Sequence, residues 1–249
     1  MLKRIIPTIL IENKEVIKTI RFSRPTYIGD LLNTIKIYNE LQVDELCILD
    51  KSAKINGINF PMIEQFTNEA FSPISYGGGI ANMKDIGELL RIGIEKVVIS
   101  TNATNYGFIE SAVKTYGSST ISICIDYKLL GQKRIVFVEN GKKNTSIEVM
   151  KYLRKLSSLG VGEFILQSID RDGTYNGYDT NFLKDVVFKY NNPIVVSGGC
   201  SNLLDIKKAF DLEVSGTAAG SLFVYYTNKK GVLINYPDLD ELIDIGVVR

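Results

Sequence analysis

The chain has 249 residues, 45% hydrophobic and 23% charged, which is ordinary globular material with enough apolar content for one large core or two small ones. A formal net charge of +1 gives no global basic excess, so nothing in the composition calls for nucleic acid or a membrane surface, and no apolar run approaches the ~18 residues of a membrane span. Histidine is absent, which removes imidazole metal sites and His-dependent nucleophiles and leaves carboxylates as the proton carriers near neutral pH.

In chain order, Met1 to Arg4 lead straight into a strand rather than a signal peptide, and a cytoplasmic location is expected. Residues 4–11 are a β-branched run with few polar positions, as in a parallel strand buried on both faces. A long excursion over 12–30 follows, with Lys18 and a loop signal at 23–27. Asp30 is placed to cap a helix whose apolar positions Leu31, Ile35, Ile37, Tyr38 and Leu41 lead to a second strand at 45–50. After a loop at 56–59 and a helix over 60–71, Pro73 opens a third strand that ends at Gly77, Gly78 and Gly79. Asn82 caps a helix through Ile92, 96–99 is a fourth strand, 105–116 a helix and 120–126 a fifth strand. A hairpin is expected next, from the strand-like 134–138 and the turn signal at 139–142. Residues 146–159 read as an amphipathic helix ended by Gly160. The sixth strand spans 163–166, Asp179 caps a helix through Tyr190, and Pro193 opens the seventh. Residues 202–210 are helical, 216–220 form the eighth strand, and the tail from Asp238 is helical. Cys47, Cys124 and Cys200 are widely spaced in or beside apolar strands and read as buried free thiols.

Asp50 and Asp170, Gly78 and Gly198, and Thr101 and Ser221 are each 120 residues apart, and all stand at strand ends. This internal repeat predicts one domain over 1–249 made of two halves, about 1–117 and 118–249. Eight strands, each followed by a helix or helix-like segment, predict a closed (βα)8 TIM barrel built from two half-barrel repeats. An open doubly wound sheet is the competing fold, but it does not predict two equivalent halves.

In such a barrel chemistry sits at the carboxyl ends of the strands. Glycine-rich turns there leave backbone N–H groups free for an anion, and the repeat makes two such pockets. Gly78, Gly79, Ser100 and Thr101 form one; Asp172, Gly173, Gly198, Gly199, Gly220 and Ser221 form the other. The plainer alternative is that these glycines only turn the chain.

Several motifs together carry a resemblance over nearly the whole chain: Arg4-Ile5-Ile6, Val43-Asp44-Glu45-Leu46, Gly77-Gly78-Gly79-Ile80, the Gly141 to Thr145 run, Ser168 to Thr174, Gly177-Tyr178-Asp179 and Ser197-Gly198-Gly199. In this order they resemble the cyclase subunit of imidazole glycerol phosphate synthase. The resemblance implies two phosphate sites at opposite ends of one elongated phosphorylated substrate, and a glutaminase partner on the N-terminal barrel face. Ammonia from that partner then passes through the barrel. The family's ring of four charged residues at the ammonia entrance matches Arg4, Glu45, Lys96 and Glu163 here. Lys18 matches the loop that closes over substrate, while Asp50 and Ser168 stand at strand ends facing it; a solvated loop lysine is the plainer reading of Lys18. No cofactor and no metal is implied.

One departure stands out. The family uses a carboxylate at the end of strand one and another at the end of strand five as general acid and base. Asp126 keeps the second, but Leu10 replaces the first, and leucine cannot carry a proton. Glu12, two residues on, is a candidate displaced acid. Leu10, Asn13, the 16–19 run, Phe22 and the 25–30 run resemble a branch of the family that serves acetamidino modification of lipopolysaccharide or flagellin sugars. There the barrel and a glutaminase feed ammonia to a separate sugar amidotransferase. Two readings follow. The preferred one is an ammonia-conducting subunit for a sugar amidotransferase; the other is a cyclase (lyase) of histidine synthesis with a relocated acid. A metal-dependent barrel enzyme is weaker, because the strand ends cluster too few carboxylates.

Overall fold

A computed structural model describes residues 3–226 and 231–247 of the chain. Met1 and Leu2, expected to lead into the first strand, and the last residues of the tail, Val248 and Arg249, lie outside these described residues. The elements in order are β1 (Arg4–Glu12), β2 (Glu15–Ile20), β3 (Ser23–Asp30), α1 (Leu31–Glu40), β4 (Leu46–Asp50), α2 (Ala53–Asn56), α3 (Phe60–Glu69), β5 (Ile74–Gly77), α4 (Met83–Arg91) and β6 (Lys96–Ile99). They continue with α5 (Tyr106–Tyr116), β7 (Ile121–Leu130), β8 (Lys133–Val138), β9 (Lys143–Glu148), α6 (Val149–Ser157), β10 (Glu163–Ser168), α7 (Thr180–Lys189), β11 (Ile194–Ser197), α8 (Leu203–Phe210), β12 (Gly216–Ala219) and α9 (Leu239–Asp244).

Strands β1, β4, β5, β6, β7, β10, β11 and β12 pair in parallel, and β7 closes on β10 with Gln167 opposite Asp126. The predicted (βα)8 barrel is the observed one. Two buried layers make its core. Between barrel and helices lie the large aliphatic and aromatic residues, among them Ile5, Ile9, Tyr38, Phe66, Tyr76 and Phe164. Inside the barrel lies a smaller set, Ile6, Cys47, Val98, Cys124, Ile165, Val195 and Ala218. Three of these seven, Cys47, Cys124 and Ala218, are small. All three cysteines are free and buried. Among the described residues no helix is long and apolar enough to cross a membrane.

Helix starts follow the sequence where an Asx side chain satisfies the first-turn amides. Asp30, Asn82, Asn202 and Asp238 each accept a backbone N–H of the helix they precede, and Asn82 and Asp238 complete capping boxes with Asp85 and Glu241. Asp179 departs from its expected capping role, because its carboxylate is held by Arg134 through two bonds of 2.8 and 3.1 Å. The expected excursion over 12–30 is instead a pair of antiparallel strands on β1. Its two-residue turns, Asn13-Lys14 and Arg21-Phe22, have φ of 51°, 72°, 53° and 60°. That is the left-handed hairpin geometry normally signalled by glycine, and neither turn contains one. The helix expected from 146 starts only at Val149, since the preceding six residues pair with β8 as β9. Strands β1 and β7 therefore each continue into a three-stranded antiparallel meander before their helix.

Candidate functional site

Alternate residues at the carboxyl ends of the barrel strands converge on the axis and line a cavity of about 570 Å³. Lys18, Asp50, Gly78, Gly79, Ser100 and Thr101 line it, as do Leu10 and Asp126. Asp172, Gly173, Gly198, Gly199, Gly220 and Ser221 line it too. Ser168 does not. The strand alternation turns it away beside Tyr127, and its neighbour Gln167 faces the cavity instead.

The glycines are fixed by close backbone approaches. A Cβ on Gly78, whose φ is 138°, would stand 2.4 Å from the Asp50 carbonyl oxygen, and one on Gly79 2.8 Å from that of Ala53. Across the mouth, a Cβ on Gly173, with φ 66°, would stand 2.3 Å from the Thr19 carbonyl oxygen. A Cβ on Gly198, whose φ is 93°, would stand 2.6 Å from the Ser168 carbonyl oxygen and 3.1 Å from Gln167 Nε2. Turning the chain and admitting a neighbour are thus one requirement at these positions.

Lys18 sits on β2 with its ammonium inside the cavity, bonded to the Thr8 carbonyl and packed against Gly220. Burial lowers its pKa to about 8 against the opposing pull of Asp172 and Cys47. The hairpin that carries it is docked on the segment after β10. The Thr19 hydroxyl donates to Asp172 Oδ2 at 3.0 Å, the Phe22 amide donates to the same oxygen at 3.2 Å, and the Arg21 amide donates to the Asp172 carbonyl at 2.9 Å. Asp172 therefore anchors the hairpin, and burial raises its pKa despite those bonds and Lys18. Phe22 at the hairpin tip reaches Gly141 at the tip of the β8–β9 turn, so the two meanders meet over the mouth.

Asp126 ends the inward run of β7. Burial raises its pKa to about 7, opposed by the Ser100 hydroxyl, which donates at 3.0 Å, and by the Cys124 thiol. Leu10 supplies only apolar surface on β1. Glu12 does not line the cavity; its Oε1 accepts from Lys51 Nζ at 2.9 Å, so the displaced-acid position is not inside the site. Lys51, Lys54 and Lys143 line the side of Gly78 and Gly79, and the Thr101 hydroxyl accepts from the Glu139 amide at 3.0 Å. Sequence reasoning passed over these three lysines. Lys51 and Lys54 directly follow the strand end at Asp50, and Lys143 lies within the quoted Gly141 motif, so position relative to a strand end was the available signal.

At the opposite end of the barrel Arg4, Glu45, Lys96 and Glu163 form one closed network. Arg4 bonds both carboxylates, and Lys96 Nζ lies 3.2 Å from Glu45 and 3.4 Å from Glu163. Burial pulls the Arg4 pKa down, but Glu163 and Glu45 outweigh it and leave it raised. Above this network is a second cavity of about 10 Å³, lined by Glu45 and Glu163 below and sharing Thr8, Leu49, Cys124, Gln167 and Ser197 with the mouth.

A family model described as "Histidine biosynthesis protein" matches residues 4–229. The chain is 42% identical to the Leptospira interrogans protein named "Putative imidazole glycerol phosphate synthase subunit HisF", over 97% of this chain and 98% of the relative. It is 36% identical to a Pseudomonas aeruginosa protein named "Putative imidazole glycerol phosphate synthase subunit hisF2", over 98% and 99%. It is 37% identical to a hisF3 protein of the same description from Vibrio vulnificus, over 96% and 94%. With its closed eight-stranded barrel and full-length matches, the chain belongs to the histidine biosynthesis protein family and, within it, to the HisF-like cyclase subunits of imidazole glycerol phosphate synthase.

Proposed function

We propose that this chain is the ammonia-conducting barrel of a glutamine-dependent amidotransferase system whose acceptor chemistry is done elsewhere. In this reading a glutaminase docks on the strand-start face, around Arg4, Glu45, Lys96 and Glu163. Ammonia passes that charged network, crosses the barrel and leaves at the mouth for a separate sugar amidotransferase that forms acetamidino groups on surface glycans. The observation that carries the reading is Leu10: β1 offers no proton carrier at the mouth, while the charged network and the interior cavity above it are complete. Removing one of two proton carriers costs about 10²–10⁴ in rate, so ring closure by two carboxylates is not the activity such a site is built for.

The mouth still suits a phosphorylated ligand. Backbone turns at Gly78 and Gly79 with Lys51, Lys54 and Lys143 nearby make one anion pocket; Gly198, Gly199, Gly220 and Ser221 with Lys18 make the other. A second reading, ring-closing cyclase in histidine synthesis, draws support from Asp126, whose pKa of about 7 suits acid–base work near neutrality.

The test is a cyclase assay on the purified chain with the ribulosyl-aminoimidazole substrate and excess ammonium salt, run beside Leu10→Asp. Ammonium in solution bypasses the glutaminase. The conduit reading expects no turnover by the unmodified chain and partial recovery in Leu10→Asp. Turnover by the unmodified chain that Asp126→Asn abolishes would return the protein to histidine synthesis.

A further inference from the structure

We infer that the cavity takes a ligand with unequal ends: a phosphate monoester on the Gly220 and Ser221 side, and a diphosphate on the Gly78 and Gly79 side, where Lys54 and Lys143 hold the second phosphoryl group. The inference rests on the reading of the mouth as a phosphorylated-ligand site and is independent of conduction.

Both sides have the same backbone plan, a paired-glycine turn with a small hydroxyl residue after the next strand. Such a turn offers backbone N–H groups to one phosphoryl group. The difference lies in the cations within reach. On the Gly220 side the charge of Lys18 is offset by Asp172, which lines the same cavity. Arg21 and Arg171 stand in neighbouring segments, but neither lines the cavity. Arg21 Nε donates to the Asp170 carbonyl at 3.2 Å, and Arg171 Nη1 to the Asn176 and Gly177 carbonyls at 2.9 and 3.1 Å.

On the Gly78 side a chain of contacts brings two lysines to one corner. Lys54 directly follows Ala53, whose carbonyl oxygen would stand 2.8 Å from a Cβ on Gly79. Asp50 fixes that segment, since its Oδ1 accepts the Ser52 and Ala53 amides at 2.8 and 3.0 Å. Lys143 pairs across β8 and β9 with Val138, the neighbour of Glu139. The Glu139 amide donates to Thr101 Oγ1 at 3.0 Å, and Glu139 Oε2 lies 3.5 Å from Lys54 Nζ. Gly79, Thr101, Lys54 and Lys143 therefore border one part of the cavity.

Neither ammonium is committed. Lys143 makes no side-chain hydrogen bond or ion pair among the described residues. Lys54 and Glu139 have side chains 51% and 41% exposed, so water screens their pairing and an anion displaces Glu139 at little cost. Lys51 differs, because Glu12, outside the cavity, holds its Nζ at 2.9 Å. A monoester seated in the glycine turn leaves the two ammoniums without a partner. A second phosphoryl group, joined to the first by one bridging oxygen, supplies it, and each ammonium brings three donors.

The test is calorimetric titration of the full chain with inorganic phosphate and with pyrophosphate at pH 7 and constant ionic strength, with amide NMR to locate each anion. Pyrophosphate is expected to bind at least tenfold more tightly than phosphate and to shift the Gly78 and Gly79 amides. Lys54→Met combined with Lys143→Met is expected to abolish that preference. Both side chains are exposed, so an unchanged urea midpoint checks that the variant keeps its fold. Lys114→Met combined with Lys151→Met removes two exposed charges from the helix layer and is expected to keep the preference. Equal affinity for the two anions overturns the diphosphate assignment. So does a preference that survives Lys54→Met with Lys143→Met, one that the helix-layer variant also loses, or pyrophosphate shifts confined to Gly220 and Ser221. Absence of binding by either anion overturns the phosphorylated-ligand reading together with this inference, whereas equal binding overturns this inference alone.

Discussion

The two sides of the barrel mouth share a backbone plan and differ in where their positive charge comes from. On one side Gly78 and Gly79 follow β5, Ser100 and Thr101 follow β6, Lys51 and Lys54 come from the segment after β4, and Lys143 from the start of β9. On the other, Gly198 and Gly199 follow β11, Gly220 and Ser221 follow β12, and one buried ammonium, Lys18, is delivered by a hairpin from β1. Several partly solvated cations tolerate the loss of one. A single desolvated lysine does not, and its charge depends on pH and on a docked segment 150 residues away in sequence. The strand ends differ in the same sense, with Leu10 on β1 and Asp126 on β7.

The largest expected effect comes from breaking the docked side. Gly173→Val places a Cβ 2.3 Å from the Thr19 carbonyl at a left-handed φ, and a loss of about 4 kcal/mol or more in urea unfolding is expected, with hydrogen exchange rising across β2 and β3. Next is Asp126→Asn. The pKa of Asp126 is raised to about 7 from 3.8, so the folded state binds more protons between about pH 4 and 7, and the ionised carboxylate costs stability that grows through that window. The variant should gain about 2–4 kcal/mol over the unmodified chain at pH 8, and the gain should vanish near pH 4 in urea titrations at both pH values. Asp172→Ala should cost about 1.5–3 kcal/mol by freeing the Thr19 hydroxyl and the Phe22 amide, and proteolysis should then cut within the hairpin first.

The last effect sharpens the comparison most. Lys18 titrates near pH 8 when folded and near 10.5 when unfolded, so stability should rise by up to about 3 kcal/mol as pH climbs from 8 toward 10.5, and Lys18→Met should flatten that rise. Inorganic phosphate bound on the Gly220 side should weaken over the same interval through loss of the ammonium, as calorimetric titration at pH 7 and 9.5 would show. Equal weakening in Lys18→Met would place that charge dependence on the other side of the mouth.

The barrel was legible because its signals are short stretches of chain and their recurrence. Apolar runs mark the strands, Asp30, Asn82, Asn202 and Asp238 cap helices through bonds to amides three residues on, and the 120-residue spacing repeats strand ends. The first meander was not legible, since Asn13-Lys14 and Arg21-Phe22 adopt left-handed turns without glycine. Asp179 follows the capping pattern, yet Arg134, 45 residues earlier, takes its carboxylate. Ser168 and Gln167 are adjacent, and only the register of β10 decides which one faces the cavity.

By itself the sequence determined which residues are apolar, where most of the strands and helices lie, and that position 10 on β1 is Leu10 and not an acid. Those are properties of single residues and of short-range periodicity. Only the tertiary structure decided that Lys18 is buried against Gly220, that Asp172 holds the hairpin, that Arg4, Glu45, Lys96 and Glu163 form one network, and that Thr8, Gln167 and Ser197 line both cavities. Each of these joins groups from distant strands, and barrel closure alone sets their distances and their loss of water.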